Sequence, residues 1–265
     1  MEKRSKFTLS KWYMDCVSDD GEVFIGYAAA LRWRGVGIDY SSTLQHQHGE
    51  GTKINTSLQK LSTPQITALS VHWISRALGV DGTWSGSAPP IERTVFRSEV
   101  GSVEWRCLQP NARAEVHLGT ERCIQGRGYA EHILISIPPW RLPVDELRWG
   151  RFLTDSNALV WIDWRGSTSL TLLFRNGIQI ENPLVTDREV ACNRTKMVLA
   201  FEDSQVLREG RLVNTALSVI PGIAKLLPGH SLRTYECKWR SRGVLKEHET
   251  VLSTGWAIHE LVRFG

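Results

Sequence analysis

Three acidic residues occupy positions where a β-strand usually carries something apolar. Glu131 closes GYAE at the head of GYAEHILISIPPW (128–140), Asp15 stands two places after Tyr13 in KWYMDCV (11–17), and Asp163 lies inside WIDW (161–164). A carboxyl group shielded from water favours its protonated form, and a protonated carboxyl can hand its proton to a carbon–carbon double bond. The cation left behind is stabilised by aromatic faces, roughly 0.5–2 kcal/mol for each ring. Glu131, Asp163 and Asp15 are therefore the candidate catalytic acids. Tyr13, Trp33, Trp149 and Trp161 are the candidate substrate wall, and Arg151 is the candidate anchor or carboxylate partner. Each acid also reads as a solvent-facing or arginine-paired group. A pericyclic reaction would ask for less, only a shaped apolar cavity with one or two hydrogen-bond donors.

The densest of these stretches is RWGRFLTDSNALVWIDWRG (148–166), two alternating runs around a turn-like TDSN. Strand alternation places Trp149 and Arg151 on one face of the first arm, and Trp161 and Asp163 on one face of the second. A hairpin of suitable register would put all four on one surface, with Arg151 paired to Asp163 between indoles. The competing reading is an exposed ion pair, worth at most about 1 kcal/mol.

The elements that must hold these residues read as β almost throughout. KWYMDCV, SDDG and EVFIGYAAALRWRG (22–35) predict a hairpin, and IDYSSTL (38–44) a strand. QHQHGEGTKINTS (45–57) reads as a polar loop; His46, His48 and Glu50 lie close together in it, but the histidine pair finds no third ligand at a familiar spacing, so no metal is expected there. Residues 63–79 carry both helical and alternating spacing, and strand is the favoured assignment. Turn signals then recur every 8–12 residues, the spacing of a barrel or sandwich. Asn176-Gly177 marks another hairpin. VNTALSVIPGIAKLLPG (213–229) has helical apolar spacing broken by Pro221, which predicts one short helical segment near 214–227. A change of pattern around GTERCIQGRG suggests two β domains, 1–125 and 126–265.

Composition removes several function classes. With 265 residues the chain can bury a sizeable core, and +4 spread over 32 basic and 28 acidic residues is too mild for a nucleic-acid partner. Five cysteines without a C-x-x-C pair read as reduced thiols of a cytoplasmic protein. Neither a secretory leader nor a membrane-spanning run is seen, so membrane contact would be transient, at the surface, to collect substrate. His117, His132 and His259 stand isolated in the sequence, and hydrolase, zincin and phosphate-loop motifs are missing. Eleven tryptophans against three methionines are the one anomaly; such rigid apolar area suits β cores and ligand cavities.

GYAE, IPPWRLP (137–143) and LRWGRF (147–152), with VDGTW, GSVEWRC and WIDWRG around them, give the chain a family likeness. From roughly Trp12 to Trp256 it resembles the carotenoid 1,2-hydratase (hydroxyneurosporene synthase) superfamily of lipocalin-like proteins, with AttH-type proteins and fungal decalin-forming Diels–Alderases as further relatives. The resemblance implies an all-β chain of two lipocalin-like barrels or half-barrels packed together, with a hydrophobic cavity in or between them. It also implies chemistry on an apolar polyene, terpenoid or polyketide-like molecule without metal, nucleotide or other cofactor. The resulting expectation is an enzyme that hydrates, cyclises or isomerises such a ligand. A non-catalytic carrier of the same ligand is the rival reading.

Overall fold

The structure, a computed structural model, describes residues 7–215, 218–219 and 228–265. It divides into two units, Met1–Leu142 and Pro143–Gly265.

In the first unit the strands are β1 (Thr8–Val17), β2 (Val23–Trp33), β3 (Val36–Gln47), β4 (Gly51–Ser57), β5 (Gln65–Ile66), β6 (Ser70–Ser75), β7 (Val80–Ser85), β8 (Ile91–Ser98), β9 (Gly101–Leu118) and β10 (Arg122–Ile135). They form one antiparallel sheet ordered β4-β3-β2-β1-β10-β9-β7-β6-β5, with β8 on a second stretch of β9. The sheet curls strongly. A Cβ added at Gly26 of β2 would lie 2.7 Å from the ring of Trp73 on β6, although four strands separate β2 from β6 in the ladder order. Across the same interior the Trp84 indole N–H donates to the backbone carbonyl of Asp15 at 2.5 Å. Trp12, Met14, Phe24, Trp73, Trp84, Val116 and Ile124 are part of the core this curl encloses, so indoles fill the inside.

The second unit holds β11 (Glu146–Leu153), β12 (Ala158–Arg165), β13 (Leu170–Arg175), β14 (Ile178–Gln179), β15 (Leu184–Val185), β16 (Glu189–Cys192), β17 (Met197–Arg211), β18 (Tyr235–Glu247) and β19 (Thr250–Arg263). Its order is β14-β13-β12-β11-β19-β18-β17-β16-β15. This sheet curls too: Trp161 of β12 stacks on Phe201 of β17 at 5.7 Å, although three strands lie between them in the ladder order. Phe152, Leu159, Leu173, Leu199 and Leu245 pack around that contact.

Several expectations change here. The strand Arg122–Ile135 spans the expected 125/126 boundary, yet it pairs with β1 on one side and β9 on the other, so its whole length belongs to the first sheet. The supposed loop 45–57 is a hairpin arm, in which His46 faces Thr52 across a turn at residues 48–50; Gly49 and Gly51 supply the positive φ that it needs. Within 63–79 two strands form, β5 and β6, in keeping with the favoured assignment, and a single 3-10 turn at Arg76–Leu78 follows that Gly79 closes in the left-handed region. The helix expected near 214–227 falls mostly on 216–217 and 220–227, outside the described residues. Among the described residues no helix is long and apolar enough to cross a membrane.

Candidate functional site

Alternation gives β1 two personalities. Trp12, Met14 and Cys16 enter the core, so Tyr13, Asp15 and Val17 take the opposite face. Register carries that face sideways: Tyr13 lies opposite Tyr27 of β2 and Glu131 of β10, Asp15 opposite Tyr129, and Glu131 opposite Cys107 of β9. The result is a patch of two carboxyl groups, three phenols, a thiol and the Trp105 indole, all buried.

Its hydrogen bonds bind acid to aromatic. The Tyr13 hydroxyl donates to Asp15 Oδ2 at 2.9 Å. Glu131 Oε2 accepts from both the Tyr129 hydroxyl and the Trp105 indole N–H, each at 2.6 Å. Such bonds are shorter and stronger when the carboxyl group is ionised. The three tyrosine rings stand edge to face, Tyr13 at 5.5 Å from Tyr27 and 6.1 Å from Tyr129. Lys11 lies 5.4 Å above the Tyr27 ring. Burial pushes the Tyr129 hydroxyl well above the usual tyrosine range, with the nearby Cys107 and Glu131 adding to the effect. Burial likewise raises the Cys107 thiol, and Glu131 and Asp15 reinforce it. The phenol and thiol therefore keep their protons at neutral pH, and the Tyr129 hydroxyl serves as a donor. Glu131 and Asp15 are thus brought together, on the face turned away from the tryptophan core.

Asp163 has a different setting. The register across the 148–166 hairpin pairs Arg148 with Asp163, Gly150 with Trp161 and Trp149 with Ile162. Trp161 and Asp163 therefore share a face with Arg148, while Trp149 and Arg151 take the other, which corrects the expectation that all four meet. The cause is the turn: Leu153 and Ala158 are the last paired residues, and Thr154 N–H closes the four-residue loop on the Asn157 carbonyl at 2.8 Å. A loop one residue longer or shorter would have reversed the parity. Arg165 and the Thr171 hydroxyl hold the buried Asp163 carboxylate at 2.7 and 2.8 Å. Glu146 accepts from Arg148, Arg165 and Arg263 at 2.8, 2.9 and 3.2 Å, and Arg148 also pairs with Asp187. Desolvation alone would raise the Glu146 carboxyl, but these arginines hold it below the ordinary range. Asp163 belongs to this ion-pair network.

Trp149 and Arg151 lie away from Asp163. Lys238 sits 5.2 Å over the Trp149 ring and pairs with Glu260, and the fully buried Arg151 donates to the Trp256 carbonyl at 2.8 Å. Trp33 keeps the strand parity of Tyr27 but lies six residues further on, about 20 Å along β2. There it joins Phe7 and Trp140 at 6.5 and 5.1 Å, with Arg34 over its ring.

Two residues of interest were hidden from sequence reasoning. Trp105 is 26 positions from Glu131 and reaches it only because β9 and β10 pair. His259, isolated in the sequence, is buried between Phe201 at 4.2 Å and Trp239 at 5.1 Å. Burial, helped by Lys238, lowers its pKa to about 3, so the ring is neutral. Its Nε2 meets the Ser241 hydroxyl at 2.8 Å, and Ser241 in turn meets Ser204 at 2.7 Å.

In sequence the chain matches no family model and no curated relative. Among solved structures it is similar to an AttH-type protein from Nitrosomonas europaea, with 10% identity and a TM-score of 0.57 over 96% of this chain and 92% of that one. It is also similar to kievitone hydratase from Nectria haematococca, with 10% identity and a TM-score of 0.52 over 96% and 88%. CghA aligns with 9% identity and a TM-score of 0.56 over 98% and 89%. At such identities the likeness is one of fold. The chain has the all-β, lipocalin-like fold, built from two curled antiparallel sheets.

Proposed function

We propose that this chain is an enzyme that hydrates, cyclises or isomerises an apolar small molecule of polyene or prenyl type, using Glu131 and Asp15 as its proton-handling groups. One observation carries the reading: two buried carboxyl groups on adjacent strands each accept a tyrosine hydroxyl on a face lined by aromatic rings. The fold shared with a protein named kievitone hydratase supports it, as does the resemblance to the carotenoid hydratases.

In the hydration form of the reaction, protonated Glu131 gives its proton to one alkene carbon, and the π electron pair forms the new C–H bond. The adjacent carbocation is faced by the rings of Tyr13, Tyr27 and Tyr129. A water molecule adds to that carbon, and its surplus proton passes to Asp15. Alkene and water become an alcohol, with one proton lost from Glu131 and one gained by Asp15. Tyr129 and Trp105 orient Glu131, and Tyr13 orients Asp15. Cyclisation follows the same first step, with a second double bond of the substrate trapping the cation in place of water.

Incubation with a panel of polyenes and prenylated phenols tests this by mass spectrometry. A product one water heavier, or an isomer of unchanged mass and altered retention, is expected from the wild type and is lost in Glu131→Gln. Tryptophan fluorescence quenching by the same compounds without any product would overturn the enzyme reading in favour of the carrier.

A further inference from the structure

Beyond the acid patch, β9 and β10 continue for several turns of the pleat toward their shared hairpin. There the face opposite the core changes character. Val116 and Ile124 point inward into the tryptophan core, so Glu115, His117 and Cys123 point outward, and all three are exposed. His117 lies directly opposite Cys123, and Glu115 lies two residues before His117 on the same strand. One ligand atom from each of these side chains, a carboxylate oxygen, an imidazole nitrogen and a thiol sulfur, lies within 4.8 Å of the other two.

We propose that Glu115, His117 and Cys123 form a binding site for one divalent cation of the zinc class, separate from the acid patch. Along β9, Glu115 is eight residues from Cys107, roughly 26 Å of strand, so the two sites do not share residues or ligands. The donor set selects the ion. A thiolate with an imidazole and a carboxylate suits borderline cations such as zinc and disfavours calcium or magnesium, which take oxygen donors. Metal–ligand lengths of about 2.0–2.3 Å in a tetrahedron space the ligands roughly 3.5 Å apart, so closure needs only a small rotation of each side chain. Three protein ligands leave the fourth position to water.

The metal-free arrangement is held in readiness by hydrogen bonds. His117 Nε2 lies 2.7 Å from Glu115 Oε1, and Gln125 donates to Glu115 Oε2 at 3.0 Å. Asp81 of β7 is the other cross-strand partner of His117, and it is engaged with His72 at 2.7 Å. Binding replaces the Glu115–His117 hydrogen bond by two bonds to the ion, with the imidazole proton moving from Nε2 to Nδ1 to free the ligating lone pair, and the Cys123 thiol releases its proton to solvent as it becomes a ligand. Backbone ladders on both sides of β9 fix the ligand-bearing positions, so ordering them costs little on binding.

Cobalt(II) titration of the chelator-stripped full chain tests the site. One cobalt per chain should give tetrahedral visible bands together with a thiolate charge-transfer band, and zinc should displace both. Cys123→Ser should abolish the charge-transfer band, and His117→Gln should weaken binding at least tenfold; both positions are exposed, so the fold tolerates the changes. Zinc should also slow alkylation of Cys123, the exposed member of the five cysteines, at least tenfold. A wild-type protein with no thiolate band at stoichiometric cobalt, or a band that survives in Cys123→Ser, would overturn the proposal.

Discussion

Gly150 faces Trp161 across the β11–β12 ladder, and the indole occupies the space that a side chain at 150 would need: an added Cβ would lie 2.2 Å from Cζ2. The other side of the indole is blocked by the stacked Phe201 ring. This explains the glycine inside LRWGRF without reference to backbone conformation. Gly150→Ala should therefore destabilise the second unit by about 1–3 kcal/mol. Trp161→Leu in the same chain should recover part of that loss, a coupling that a double-mutant cycle by urea unfolding would measure.

The neutral His259 makes stability fall with acid. Its folded pKa of about 3 lies below the ordinary histidine value of 6.5, so the unfolded chain takes up a proton that the folded chain refuses. The contribution is fully present above pH 6.5 and is lost as pH falls from there toward 3. Between pH 7.5 and 4.5 this single group should remove about 2–3 kcal/mol. Denaturant midpoints at the two pH values should show that loss in the wild type and a clearly smaller one in His259→Phe.

Arg148 and Arg263 both reach Glu146, but in different surroundings. The Arg148 side chain is 10% exposed and also binds Asp187, whereas that of Arg263 is 58% exposed. Arg148→Ala strips a buried network of a cation and should cost on the order of 3 kcal/mol. Arg263→Ala should cost less than about 1 kcal/mol. Equal losses in chemical unfolding would refute this account of the network.

Trp105→Phe keeps an aromatic ring in place of the indole and deletes the N–H that donates to Glu131 Oε2 beside the Tyr129 hydroxyl. Loss of that bond should cost about 1–3 kcal/mol of stability. If Glu131 handles the proton as proposed, turnover should drop at least tenfold, with KM little changed. Steady-state kinetics on whichever substrate the panel identifies would separate the two effects.

Much of this was readable from residue order. Alternation correctly assigned the two faces of each arm in 148–166. The relation between the arms was not readable, because a single residue of loop length decides which faces coincide, and Thr154 and Asn157 settle that only in three dimensions. Trp105 escaped notice because its bond to Glu131 depends on strand pairing. The same limit made His117 and Cys123 look solitary, although they are directly opposed. The first unit also extends past 125, because turn-rich residues near the β9–β10 hairpin resemble a linker while β10 itself continues to Ile135.

Asp15 and Glu131 are diagonal neighbours on adjoining strands, since Glu131 is level with Tyr13, two residues before Asp15. Diagonal positions in such a ladder stand roughly 7–8 Å apart. The gap between the two acids is thus a lattice constant of the sheet, indifferent to the lengths of the connecting loops. Descendants of this chain can lengthen, shorten or rewrite those loops while the spacing of these two carboxyl groups stays the same.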